Sequence, residues 1–146
     1  MQVLLSIGIF LATLLGMEGF SWFVHRYLFH GPLWFIHKTH HEAHQGPFEF
    51  NDIFSGLFAL SAIILIILGQ LAGYDYRFWI GAGITAYGII YFILHDVFVH
   101  NRIKSFQTHN RYLLRLRRAH KMHHKSMKKW PSESFGLLWV SKKYQP

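Results

Sequence analysis

The sequence contains no cysteine among its 146 residues. Thiolate-bound iron, iron–sulfur ligation and disulfides are therefore excluded. It has no G-x-G-x-x-G stretch, so a nicotinamide cofactor has no dinucleotide-binding fingerprint to occupy. Acidic residues are scarce, seven against fifteen Lys and Arg. After residue 100 the imbalance sharpens, with twelve basic residues and Glu133 as the only acid. Charge is missing altogether from two long apolar runs, 53–74 and 78–94, and a third, 3–24, carries only Glu18.

Crossing the hydrocarbon takes roughly 20 apolar residues, with about 17 as a lower limit. The first two runs in chain order meet that length, and the third does so if its helix continues through HDVFVH, 95–100. The first run lacks the basic n-region and small-residue cleavage site of a signal peptide, so it reads as an anchor. The expectation is an all-α integral membrane protein, one membrane-embedded domain over 1–146. Three transmembrane helices, about 3–28, 53–73 and 77–99, carry a cytoplasmic histidine-rich helical cap. The basic tail places the C-terminus in the cytoplasm and the N-terminus outside, by the positive-inside rule, in a bacterial-type inner membrane. Topology and attraction to anionic lipid account for this charge more simply than nucleic acid does.

Between and beyond the spans the sequence predicts a short helix over about 32–45, started by Gly31-Pro32 and ended by Gly46-Pro47. An amphipathic helix is expected over about 107–128, with Leu113, Leu116, His120, His123, His124 and Met127 on one face. Asn51 or Asp52 is placed to cap the second membrane helix. The C-terminal segment is irregular by pattern and is expected to pack back on the bundle.

Histidine is what this chain has in excess, twelve in all. Ten of them fall into an internal repeat. Each half pairs H-x4-H at the end of an apolar helix with H-x2-H-H on the helix that follows. In the first half these are His25/His30 and His37/His40/His41; in the second, His95/His100 and His120/His123/His124. On an α-helix, positions i, i+3 and i+4 share a face, so H-x2-H-H is expected to present three imidazoles to one centre. Residues i and i+5 do not share a face on a regular helix. Those pairs therefore either straddle two ions or sit where the helix unwinds.

Ten ligands on one side of a membrane exceed the four that a structural zinc site needs, so two metal ions are expected in the segments 25–52 and 95–130. Imidazole alone suits iron, zinc, copper or nickel. Metal-bound imidazoles usually donate their other N–H to a carboxylate or carbonyl. Asp96, Glu42, Glu49, Asp52, Asn51 and Asn101 are available as such partners, Asp96 foremost because it adjoins His95. His44 shares a face with His40 and His41 and is a candidate extra ligand or partner, whereas His109 lies outside the scheme. Glu18, two turns before His25, reads either as a support beneath the metal site or as an interfacial residue near a break at Gly16/Gly19.

The motifs HRYLFH, HKTHH, HDVFVH and HKMHH, with GPFEFND, GAGITAYGIIYF and ESFGLLW, resemble the β-carotene hydroxylase branch of the fatty acid hydroxylase/sterol desaturase superfamily. The likeness runs from about residue 18 to 140. It implies a non-haem di-iron oxygenase that hydroxylates carbon 3 of β-ionone rings, converting β-carotene through β-cryptoxanthin to zeaxanthin. It implies two iron ions held by the ten histidines, with zinc able to substitute in a purified preparation, and O2 as co-substrate. It also implies a carotenoid drawn from the bilayer and electrons from a ferredoxin-like donor. Two other readings stand beside it: a superfamily oxygenase acting on a fatty acyl chain or sterol, and a non-catalytic membrane protein that binds or transports metal.

Overall fold

A computed structural model describes residues 2–42, 46, 48–102 and 107–145. Among these residues the protein is built from helices alone. Helix α1 (Gln2–Phe23) runs into a π-helical turn, Val24–Phe29, and α2 (Trp34–His41) follows after a short turn. Helices α3 (Asp52–Leu71) and α4 (Tyr76–Tyr91) come next, and α4 widens into a second π-helical segment, Phe92–Val99. Helix α5 (Arg111–His124) precedes an irregular tail that closes with one 3-10 turn, Lys142–Tyr144. Helices α2 and α5 are shorter than the apolar pattern predicts.

Among the described residues, three helices are long and apolar enough to cross a membrane: Gln2–Phe29, Asp52–Leu71 and Tyr76–Val99. The last includes the π segment, so the helix does continue through HDVFVH. Their outer surfaces carry exposed Leu4, Leu15, Leu57 and Leu71. So large an apolar surface is tolerable only where the surrounding medium is itself apolar.

Helix α4 is the middle of this layer, packed on α1 along one side and on α3 along the other. Glycine makes both approaches possible. A Cβ on Gly83 would lie 2.8 Å from Thr13 Cβ of α1, and one on Gly81 would lie 2.8 Å from the Ala62 carbonyl oxygen of α3. At the turn between α3 and α4, a Cβ on Gly69 would lie 2.2 Å from the backbone nitrogen of Phe78. Asp75 begins α4 by accepting the Arg77 N–H, and Asn110 begins α5 by accepting the N–H groups of Tyr112 and Leu113.

Asn51 stands at the start of α3 without capping it. Its side chain is engaged elsewhere, as described below. Helix α1 passes unbroken through Gly16 and Gly19, so Glu18 does not sit at a helix break. The tail packs back on the bundle through buried Phe135 and Leu137. Met127, expected on the inner face of α5, lies past that helix's end and is exposed.

This packing predicts that Gly69→Ala melts at a lower temperature in detergent micelles, by about 1–3 kcal/mol of stability, because overpacking must part α3 from α4. Gly8→Ala, where a Cβ meets nothing within 4 Å, is expected to leave the melting temperature unchanged or raised.

Candidate metal centre

Both π-helical turns fall on the H-x4-H motifs. The His30 N–H donates to the His25 carbonyl at 3.0 Å, and the His100 N–H donates to the His95 carbonyl at 2.8 Å. These are i→i+5 bonds, which close the turn over one extra residue and stack residues five apart. The His25 and His30 ring centroids are 5.3 Å apart, and those of His95 and His100 are 4.5 Å apart. The helix therefore widens, and each pair falls within one cluster instead of straddling two.

The H-x2-H-H motifs behave otherwise than expected. His37 and His41 join His25, His30 and His123 in one cluster, while His40 joins His95, His100 and His120 in another. Within each cluster the candidate ligand atoms all lie within 4.8 Å of one another. The expectation of one triplet per centre is corrected: the middle histidine of each triplet crosses to the other half's cluster. The reason is angular. The i+3 and i+4 positions lie about 100° apart around the helix, so a helix wedged between two centres points one at each.

His124 completes the symmetry as the counterpart of His41. Its ring lies 4.4 Å from His120, 4.7 Å from His40 and 4.9 Å from His100, and it stacks on His41 at 4.5 Å. The structure thus brings all ten repeat histidines together. His109 is exposed and joins neither cluster, and His44 lies outside the described residues.

Hydrogen bonds at Nδ1 orient these rings. In the first cluster His25, His30, His41 and His123 donate to the backbone carbonyls of Phe135, Lys129, Ser126 and Glu133 at 2.8–3.1 Å. His37 donates to Asn51 Oδ1 at 2.7 Å. In the second cluster His40 donates to Glu49 Oε1 at 2.7 Å, and Asp96 Oδ1 stands 3.5 Å from His95 Nδ1. A carbonyl or carboxylate oxygen only accepts, so the proton of each donating imidazole is on Nδ1 and the lone pair is on Nε2.

Those lone pairs face each other. His25 Nε2 is 3.1 Å from His37 Nε2, and His30 Nε2 is 3.3 Å from His123 Nε2, with no proton left to place between them. Buried His41 Nε2 and His124 Nε2 have no partner at all. A cation resolves every one of these conflicts. Adjacent nitrogens on an ion about 2.1 Å away sit roughly 3.0–3.4 Å apart, so the donors present fit a metal ion in each cluster.

Burial keeps these donors neutral. It pushes the pKa of His37 down to about 3, with His41 and His30 repelling its charged form, and that of His41 to about 4, with His30 adding repulsion. His100 falls to about 3 and His123 to about 2, burial again leading and neighbouring imidazoles adding to it. Burial also pushes the Glu49 carboxyl upward, against the pull of Arg102.

Several partners escaped the sequence reading. Arg102 reaches Glu49 at 2.8 Å, Asp52 at 3.3 Å and Asp96 at 3.4 Å, tying together the carboxylates behind the second cluster. Asp52 also accepts the Glu49 N–H at 3.0 Å. Glu18 is buried, its Oε2 accepting from the Tyr87 hydroxyl at 2.9 Å and its Oε1 from the N–H groups of Leu138 and Trp139. It thereby pins the tail whose Phe135 carbonyl holds His25. Tyr91 stacks on His95 at 4.5 Å. Glu42 and Asn101 are exposed.

The family model for fatty acid hydroxylase matches residues 10–141. A β-carotene hydroxylase of Pantoea ananas is 43% identical over 129 residues, 88% of this chain and 73% of that protein. One from Pseudescherichia vulneris is 40% identical, covering 92% of this chain and 76% of its own. Another, from Paracoccus sp. (strain PC1), is 42% identical, covering 90% and 82%. No solved structure matches.

The lowered histidine pKa values predict an acid-labile metal-free protein. These imidazoles must stay neutral when folded but accept a proton near pH 6.5 when unfolded. Their contribution is therefore complete above about pH 6.5 and drains away as pH falls toward about 4, the value for His41. Urea midpoints of metal-free protein in micelles should fall over that window. A flat midpoint from pH 7 to 4 would contradict the burial of neutral imidazoles.

Proposed function

The chain belongs to the fatty acid hydroxylase family, beside the β-carotene hydroxylases, and is a hydroxylase; from that premise we propose that it hydroxylates carbon 3 of carotenoid β-ionone rings with a di-iron centre. The observation that carries this reading is the pair of imidazole clusters in which Nε2 atoms converge, with every Nδ1 of the first cluster, and His40 of the second, bonded to an oxygen that leaves the Nε2 lone pair free. The ligands are His25, His30, His37, His41 and His123 for one ion, and His40, His95, His100, His120 and His124 for the other. Iron bound there would supply reduction of O2 and insertion of one oxygen atom into a ring C–H bond.

The chain's own residues set the conditions for that chemistry. His30 and His123 are fully buried, so bulk water is kept from that part of the centre. Fixed acceptors at the Nδ1–H groups of His25, His30, His37, His40, His41 and His123 stop those imidazoles from rotating or exchanging tautomers during turnover. The clusters sit where α1 and α4 end, at one edge of the apolar layer. A carotenoid lying in the bilayer reaches that edge with one ring while its polyene stays in hydrocarbon. Basic residues on α5, including Arg111, Arg118 and Lys121, would receive an acidic ferredoxin-like donor on the cytoplasmic face by electrostatic steering. Glu18, Glu49, Asn51, Asp52 and Asp96 act behind the ligands as positioning groups.

Pigment analysis in bacteria that accumulate β-carotene tests the proposal. The intact gene should yield mono- and dihydroxylated product; His37→Ala and His120→Ala should reduce it below detection, and His109→Ala should keep most of it. Unchanged β-carotene from intact, iron-loaded protein with a working donor would overturn the substrate. Oxygenated lipid in the same cells would then identify a fatty acyl or sterol hydroxylase.

A further inference from the structure

The two clusters differ in what stands behind them. Every Nδ1 partner found for the first cluster is neutral: four backbone carbonyls, the Ser132 hydroxyl and the Asn51 amide. Lys129, whose backbone carbonyl accepts from His30, carries a positive charge. Behind the second cluster stand three carboxylates, Glu49, Asp52 and Asp96, against one guanidinium, Arg102. One of these carboxylates accepts directly from a ligand imidazole, and it is itself only 7% exposed. An imidazole bonded to a carboxylate is a stronger electron donor than one bonded to a carbonyl. Net negative charge in a poorly solvated site also adds attraction for a cation that water screens only weakly.

Resting on the dinuclear reading above, we propose that the two sites are unequal, and that the His40/His95/His100/His120 site fills first and releases its ion last. Glu49 and Asn51 set the difference. They stand two residues apart in one segment, yet Glu49 backs His40 of one site and Asn51 backs His37 of the other. Arg102 holds the segment in register by bonding Glu49, Asp52 and Asp96 together, so loss of Arg102 loosens the same site that loss of Glu49 does.

The test is a titration of the purified, metal-free full chain in micelles with Zn2+ against a competing chelator. Wild type should bind two ions in separable steps. Changing such an outer partner typically costs about 10–100-fold in metal affinity, so Glu49→Gln, which keeps an acceptor but removes the charge, should weaken the tight step by that factor and leave the weak step alone. Asn51→Asp should do the converse, tightening the weak step toward the first. His95→Ala should abolish the tight step and His25→Ala the weak one. Micelle size and helical circular dichroism identify any variant that fails to fold, and Asn51→Asp gains affinity, which misfolding cannot mimic. Two ions bound with one affinity, or Glu49→Gln weakening both steps alike, would overturn the inequality while leaving two sites. Binding of a single ion, or of none, would overturn the dinuclear reading itself.

Discussion

Neutral imidazoles packed with their lone pairs toward one another repel unless a cation stands between them, and the rest of this structure follows from that conflict. His25, His30, His37, His41 and His123 are each locked into one tautomer by an oxygen at Nδ1. They have surrendered the proton that would relieve the contact, and burial denies His30, His37, His41 and His123 one from water. A metal ion bound there would return the free energy spent on this arrangement and so would couple ion affinity to fold stability.

The scaffold is arranged around the need to bring ten side chains to one edge of an apolar layer. Two π turns bring residues five apart onto one face, a register no α-helix offers. Such insertions are costly in isolation and concentrate at functional sites. Helices α2 and α5 each contribute to both centres, so neither half of the repeat makes a complete site alone. The tail supplies carbonyls to the first cluster and is pinned from within the apolar layer by Glu18, a carboxylate satisfied by three donors. Arg102 plays the corresponding part for the second cluster, through charge instead of backbone.

Much of this was legible in the sequence. The three apolar runs, the ten-histidine repeat and its gathering on one face all follow from spacing and hydropathy. Which ring joins which cluster does not follow, because on a regular α-helix the motif reads as a local triplet. The crossing of His40 and His123 depends on how α2 and α5 wedge together, a tertiary property. The carbonyls of Phe135, Lys129, Ser126 and Glu133 have no side-chain signature to find. Arg102 was visible beside HDVFVHN, but its three partners lie on two separate segments. Asn51 was expected both as a cap and as a histidine partner, and the imidazole won the side chain because a buried N–H left unpaired costs more than an exposed helix end.

The central claim is that two ions share ten histidines with His40 and His123 exchanged between the halves. An anomalous difference map at the iron edge, from the iron-loaded protein, addresses it directly. The account predicts two peaks, one ringed by His25, His30, His37, His41 and His123, the other by His40, His95, His100, His120 and His124. A single peak, or a peak that binds His37, His40 and His41 together, would contradict it.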